Sequence, residues 1–379
     1  MIIKEVSAKS ILDSRKQPTI EVSINSSSAS SPSGKSTGKY ETPSYHKSLQ
    51  WNIKAINSLK ELIGLQINSF SDLAKVEALI KKKFNFSKPQ NFGANALFSL
   101  ESAILKALAK SLGLQLWQVI NSKAKKIPCP VGNAVGGGLH SHNKNAPEFQ
   151  EFLLIPNGKT FSQQFKNMNK AYLSIGKKLK SKTKDDEGAW QTSFSNEDIL
   201  KTLSKESSIR IGLDIAGSSF YKFNEYVYYQ KELNQSAQIH YINYLIKKYN
   251  LLYIEDPLEE SDFQGFSKII KSNNHFVVGD DLTVSHLARL KKAIDSKSIN
   301  AMIVKPNQNG SLLEIKKVID ICKKSRIATI FSHRAGETLD TAIADYAFAF
   351  GCDFIKCGIS TKWREAKLKR LVQIEKSLK

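Results

Sequence analysis

From about residue 208 onward the chain repeats one pattern: a short apolar run, an ionisable residue where the run ends, then a polar stretch long enough for a helix. The runs are IRIGLD ending at Asp214, LLYIED reaching Glu255 and Asp256, HFVVGDD reaching Asp280 and Asp281, INAMIVK ending at Lys305, IATIFSHR reaching His333 and Arg334, and CDFIK ending at Lys356. Continuous apolar runs of this length predict parallel strands covered on both faces by helices. Intervals of 23 to 41 residues between run ends suit βα units closing into a (β/α) barrel, with a doubly wound open sheet as the alternative architecture. In a barrel the C-terminal strand ends share one mouth, so the charged endings would form a single polar site. Nearer the N-terminus, Leu97, Leu100, Ile104 and Leu108 recur at three- and four-residue spacing and predict a helix buried along that stripe.

Composition narrows the class. With 379 residues, 41% of them hydrophobic, the chain can fill a barrel and an appended domain. No run approaches the roughly eighteen apolar residues of a membrane span, and Lys4 and Glu5 interrupt the start where a signal peptide is apolar, so a cytoplasmic protein is expected. Cys129, Cys322, Cys352 and Cys357 show no metal-type pairing and too low a density for a disulfide scaffold. The formal charge of +21 would suit nucleic acid, but only seven of the 56 basic residues are arginine, the residue that reads bases and phosphates with its planar fork. Lysine runs such as Lys177-Lys178-Leu179-Lys180 are read instead as solvated helix faces whose field favours small anions.

The stretch Ser33-Gly34-Lys35-Ser36-Thr37 has the look of a phosphate-binding loop. The full motif needs a glycine five residues before Gly34, where this chain has Ala29. A serine-rich run precedes it instead of a buried strand, and Pro43 makes residues 40–45 a poor helix start. A polar loop is the better reading.

Asp214, Glu255 and Asp280 end three consecutive strands and would repel one another unless a cation lay between them; hard oxygen ligands favour Mg2+. The competing reading pairs each carboxylate with a lysine. Lys305 follows, then His333 and Arg334, then Lys356. A lysine beside a metal and a second lysine can have its pKa lowered enough to act as a base, and an arginine nearby suits a phosphate or carboxylate. Together these groups point to proton abstraction next to a carboxylate, with a metal stabilising the enolate.

At this level of detail the sequence resembles the enolase family along nearly its whole length. The matching segments include LDSRKQPTIEV (12–22), SGKSTG (33–38), FGANALFSLESAILKALAK (92–110), GGGLH (136–140), FQEFLLIP (149–156), DEG (186–188), YIEDPLEE (253–260), VGDDLTV (278–284), VKPNQNGSL (304–312) and SHRAGETLDTAIAD (332–345). The resemblance implies an enolase-type (β/α) barrel over residues 126–379 whose first strands depart from simple βα order. It also implies an N-terminal α+β capping domain over residues 1–125, the boundary falling in KAKKIPCP, and a lid loop at residues 33–38. It implies the Mg-dependent, reversible dehydration of 2-phospho-D-glycerate to phosphoenolpyruvate, with two ions. Lys305 is the expected base at C2, and Glu187 with Glu151 the acid pair at the C3 hydroxyl. Asp214, Glu255 and Asp280 are the expected ligands of the first ion and Ser36 of the second. His140, Gln150, His333, Arg334 and Lys356 are expected on the substrate, with Arg334 on its phosphate and Lys356 on its carboxylate. A small anionic substrate and a homo-oligomer, dimer or larger, are expected, with no membrane and no nucleic acid. His142, His240, His275 and His286 carry no such match and are read as surface or packing residues.

Several positions depart from the family pattern. Ala335 stands where most enolases have a serine on the phosphate, Lys35 where the lid has alanine, Lys16-Gln17 replaces Gly-Asn, and Asp185 and Ala189 replace glycines beside the Asp-Glu-Gly motif. These departures keep open two other readings, a related lyase with a shifted substrate and a non-catalytic binding protein on the same scaffold.

Overall fold

The computed structural model describes every residue except Ser36, Thr37, His142, Lys144, Asn273 and Lys379. Three N-terminal strands, β1 (Val6–Leu12), β2 (Pro18–Ile24) and β3 (Ser27–Ser30), form an antiparallel sheet in the order β1-β2-β3. The turn between β1 and β2 holds Lys16 at φ 59°, in the left-handed region, and Asp13 Oδ1 secures it by accepting the Arg15 and Gln17 N–H groups at 2.8 and 2.9 Å. Helices α1 (Leu49–Asn57), α2 (Leu73–Phe84), α3 (Ala94–Ser111) and α4 (Leu116–Asn121) follow. Ser48 caps α1 by accepting the Trp51 N–H, and Asn85 ends α2 at φ 53°.

Leu97, Leu100, Ile104 and Leu108 are fully buried, as their spacing predicts. The remainder of α3 is nearly as buried, because one side packs on β2 and β3 and the other on the short helix Pro306–Asn309 that follows a barrel strand. A helix apolar most of the way round is what such a sandwiched position requires.

Eight strands close the barrel: β4 (Cys129–Gly136), β5 (Glu151–Pro156), β6 (Ile209–Asp214) and, after a small antiparallel sheet of β7 (Tyr221–Lys222), β8 (Glu225–Val227) and β9 (Glu232–Leu233), the strands β10 (Tyr253–Glu255), β11 (Phe276–Gly279), β12 (Ala301–Val304), β13 (Ala328–Ser332) and β14 (Phe354–Lys356). All six apolar runs are strands, paired in parallel from β6 through β10 to β14 and on to β4, so the doubly wound alternative is excluded. The departure from βα order is β5, antiparallel to both β4 and β6. Val131, Leu153, Ile155, Tyr253, Val278, Ala301, Ile303 and Ile330 fill the barrel interior, and a second, larger core joins the outer strand faces to the helices and the cap. Among the described residues no helix is long and apolar enough to cross a membrane.

Ser33, Gly34, Lys35 and Gly38 do not lie in the strand-to-helix setting of a phosphate-binding P-loop. β3 lies in the antiparallel cap sheet and the next α-helix begins only at Leu49. Ser33 pairs instead with Gly336, N–H to carbonyl at 2.7 and 2.8 Å in the two directions, and its hydroxyl donates to Asp13. The cap is thereby bound to the loop that carries His333 and Arg334.

Candidate active site

A cavity of about 260 Å³ opens at the barrel mouth, under the loop at Gly34, Lys35 and Gly38. It brings together His140, Gln150, Glu151, Glu187, Asp214, Asp280, Lys305, His333, Arg334 and Lys356. Glu255 lies just below, fully buried. Ser36 is outside the described residues. Asp214, Glu255 and Lys356 are the last residues of their strands, and Asp280, Lys305 and His333 follow theirs directly. Glu151 is the first residue of β5, because that strand runs the other way; it faces Asp214 in the β5–β6 register. Its start is at the mouth for the same reason that the other strands' ends are.

Lys356 stands at the centre of one charge cluster. Its Nζ lies 2.9 Å from Asp214, 2.8 Å from Glu255 and 2.8 Å from Glu151. Lys305 is paired with Asp280. Of the two readings, the lysine pairing is present: lysines partner all three strand-end acids. The balance is incomplete, however. Burial, and then the Asp214 charge, push the Glu255 carboxyl well above its ordinary range despite Lys356 beside it. Burial also raises Asp214, against the pull of Lys356 and with Glu151 adding to the rise. Against burial, Lys305 holds Asp280 and Lys356 holds Glu151 below their ordinary range, so the excess acid is the Asp214–Glu255 pair, and the all-oxygen donor set suits a hard divalent ion.

Among the described residues, the acidic groups whose ligand atoms all lie within 4.8 Å are Asp256–Asp280–Asp281 and His140–Glu151–Glu187, so the expected trio shares the mouth without yet converging on one point. Asp256 is largely committed to the backbone. Its two oxygens accept the N–H groups of Asp280 at 3.1 Å and Asp281 at 2.6 Å, which aims Asp280 into the cavity.

The state of Lys305 also differs from expectation. Burial is the largest single influence and would lower its pKa, but the Asp280 carboxylate, with Glu255 adding to it, leaves the ammonium above its ordinary range. In this arrangement Lys305 is a cation. A lowered pKa requires that Asp280 give its charge to something else.

Across the cavity, His140 Nδ1 is 3.4 Å from Glu151 and His333 Nε2 is 3.5 Å from Glu187. These contacts are long, and His140 Nδ1 and Glu187 Oε2 are buried without a hydrogen-bond partner. Burial opposes a charge on His140, yet Glu187 and Glu151 together raise it to about 9. At neutral pH the cluster thus carries its proton on His140. Burial would raise Glu187, but His140 and Arg364 hold it below its ordinary range.

Two residues to which the sequence reading gave no role in the site position this half of it. Arg364, fully buried on helix Lys362–Ser377, donates through Nε to His333 Nδ1 at 3.2 Å. A guanidinium can only donate, so Nδ1 accepts and the His333 proton is on Nε2, toward Glu187. Burial and then Arg364 push the His333 pKa well below its ordinary value, which keeps the ring neutral. Asp185, one of the departures from the family, builds the turn that presents Glu187. Its Oδ1 accepts the Glu187 and Ala189 N–H groups at 2.9 Å each, and Gly188 follows at φ 84°, where an added Cβ would lie 2.3 Å from the Ser360 carbonyl. Lys35 reaches across the mouth to the Leu139 carbonyl at 3.0 Å. His240 is exposed, His275 Nδ1 contacts the Leu251 carbonyl at 2.7 Å, and His286 Nε2 lies 3.2 Å from both Thr42 and the Gln308 carbonyl, away from the site; His142 is outside the described residues.

Comparison with known proteins agrees with this geometry. Residues 3–120 match the family described as "Enolase, N-terminal domain" and residues 124–379 the one described as "Enolase, C-terminal TIM barrel domain". The chain is 33% identical to a protein named Enolase from Archaeoglobus fulgidus, over 99% of this chain and 97% of the relative. It is 33% identical to an Enolase from Thermoplasma acidophilum, over 99% of this chain and 98% of the relative, and 33% identical to one from Ehrlichia ruminantium, over 99% and 96%. With both domains matched and the charged residues of the mouth in place, the chain belongs to the enolase family.

Proposed function

We propose that this chain is a phosphopyruvate hydratase, a lyase that reversibly dehydrates 2-phospho-D-glycerate to phosphoenolpyruvate in glycolysis and gluconeogenesis. The observation that carries the reading is the opposition, within one cavity, of the Lys305 amine and the proton-holding cluster of His140, Glu151 and Glu187. Removing water from adjacent carbons needs a base on one side and an acid on the other. Lys305, as the free amine left once Asp280's charge is engaged elsewhere, takes the C2 proton, the C2–H electron pair becomes the C2=C3 double bond, and the C3 hydroxyl leaves as water with the proton that His140 holds, passed on through the Glu187–Glu151 pair. The buried, unpartnered atoms of His140 and Glu187 are polar groups that a substrate hydroxyl would satisfy. Arg334 holds the phosphate and Lys356 the carboxylate, with Gln150 and His333 completing the contacts.

Asp214, Glu255 and Asp280 would hold a magnesium ion, which supplies positive charge to the dianion formed when a proton leaves next to a carboxylate. Two ions are proposed, the second with Ser36. A cap over residues 1–125 and a barrel over residues 126–379 are proposed, a boundary supported by its falling in the segment between α4 and β4. A cytoplasmic homo-oligomer is proposed as well; Leu12 and Leu339, 64% and 59% exposed on one groove, support an interface there. The test is ultraviolet detection of phosphoenolpyruvate with Mg2+ and with chelator. Formation only with Mg2+ is expected. No product, or full turnover in enzyme shown to be metal-free, would refute the reading.

A further inference from the structure

Arg334, the proposed phosphate clamp, already holds an anion. Its Nη1 donates to Glu41 Oε2 at 3.0 Å, and its Nη2 donates to Oε1 and Oε2 at 3.2 and 3.0 Å. The two side chains are 5% and 7% exposed, and both line the mouth cavity. Glu41 is itself held in place: its Oε1 accepts the Gly38 N–H at 3.0 Å and the Gln308 side-chain amide at 3.3 Å. A guanidinium fork binds the paired oxygens of a carboxylate and of a phosphate with the same geometry. Glu41 thus offers Arg334 two oxygens in the places where a phosphate would offer its own.

We propose that Glu41 is an internal competitor for the substrate's phosphate, so that binding exchanges one anion for another on Arg334. This rests on the assignment of Arg334 to the phosphate. The exchange has two physical consequences. A buried guanidinium is never left unpaired, which would be costly in the substrate-free protein. The incoming group must also out-compete a carboxylate already seated and hydrogen-bonded, which selects for a doubly charged phosphomonoester over a singly charged acid of similar size. Glu41 is in this sense a specificity-determining residue. It differs from a positioning residue, which would improve phosphate binding by holding Arg334 in place.

The experiment is a titration of the full-length protein with inorganic phosphate in chelator at fixed ionic strength, followed by phosphorus NMR, with circular dichroism to confirm folding. Glu41→Gln removes the competing charge and is expected to tighten phosphate roughly tenfold, because apparent affinity is scaled by the fraction of Arg334 not held by Glu41. Glu41→Asp keeps the charge and is expected to stay near wild type or between the two. Arg334→Gln is expected to abolish the binding. If Glu41→Gln weakens phosphate binding or leaves it unchanged while Arg334→Gln still abolishes it, the competitor proposal is overturned and the clamp stands. If Arg334→Gln binds phosphate as well as wild type, the clamp assignment fails and takes the proposal with it.

Discussion

Lys356→Met is the most informative single change, because Lys356 bridges Asp214, Glu255 and Glu151 at 2.8 to 2.9 Å in a fully enclosed setting. Methionine keeps most of the volume and removes the charge. Breaking a buried ion pair by deleting one partner costs about 3–5 kcal/mol, since the remaining charge is left uncompensated. With an unfolding entropy of about 2.1 cal/mol/K per residue, a chain of 379 residues has roughly 0.8 kcal/mol/K, so the melting temperature in chelator should fall by about 4–6 °C. Partial protonation of the acids would move the result toward the lower figure. Mg2+ should then restore part of the loss. A ligand at a hundred times its dissociation constant contributes about 2.7 kcal/mol, and in the variant it meets carboxylates that no longer share their charge with an ammonium. The Mg2+-induced rise in melting temperature should therefore be larger in Lys356→Met than in wild type. Scanning calorimetry of both proteins, each with chelator and with Mg2+, measures all four values. A variant as stable as wild type in chelator, or one that gains no more from Mg2+ than wild type does, would sink the charge-balance argument.

Other outcomes follow from the same geometry. Lys305→Ala should abolish exchange of the substrate's C2 proton with solvent, by at least the roughly 10²- to 10⁴-fold of a positioned base, whereas Glu187→Gln should slow dehydration and leave exchange detectable; exchange retained without Lys305 means that another group is the base. Arg364→Met should release the His333 ring from one tautomer, seen in NMR of the labelled imidazole nitrogens, and lower kcat by on the order of tenfold to a hundredfold; an unchanged nitrogen spectrum rules out the orienting role. His140, raised to about 9 where the ordinary value is 6.5, should contribute stability that is fully present below pH 6.5 and is lost as the pH rises to about 9, about 3 kcal/mol in all. Comparison of wild type with His140→Gln across that range checks it, and a difference that grows with pH is the wrong sign.

The chain's own pattern was enough to locate most of the site. Six apolar runs that end in Asp214, Glu255, Asp280, Lys305, His333 and Lys356 are six parallel strands with those residues at one mouth. Forming a strand is a local property, and a continuous apolar run needs only its own length and neighbours to declare it. Local pattern could not say that β5 runs the other way, which puts Glu151 at the start of its strand, and only the resemblance pointed to that residue. The pairings were beyond it altogether. Glu41 reaches Arg334 across 293 positions, Lys356 reaches Asp214 across 142, and Arg364 meets His333 from the last helix. These contacts carry no periodicity, because an ion pair is chosen by which charges the closed barrel and its cap bring within 3–4 Å and shield from water. For the same reason the sequence left open whether a metal or lysines partner the strand-end acids, and the folded protein brings Lys305 and Lys356 to them. Residue type set what chemistry the mouth can hold, and tertiary structure decided which charge faces which.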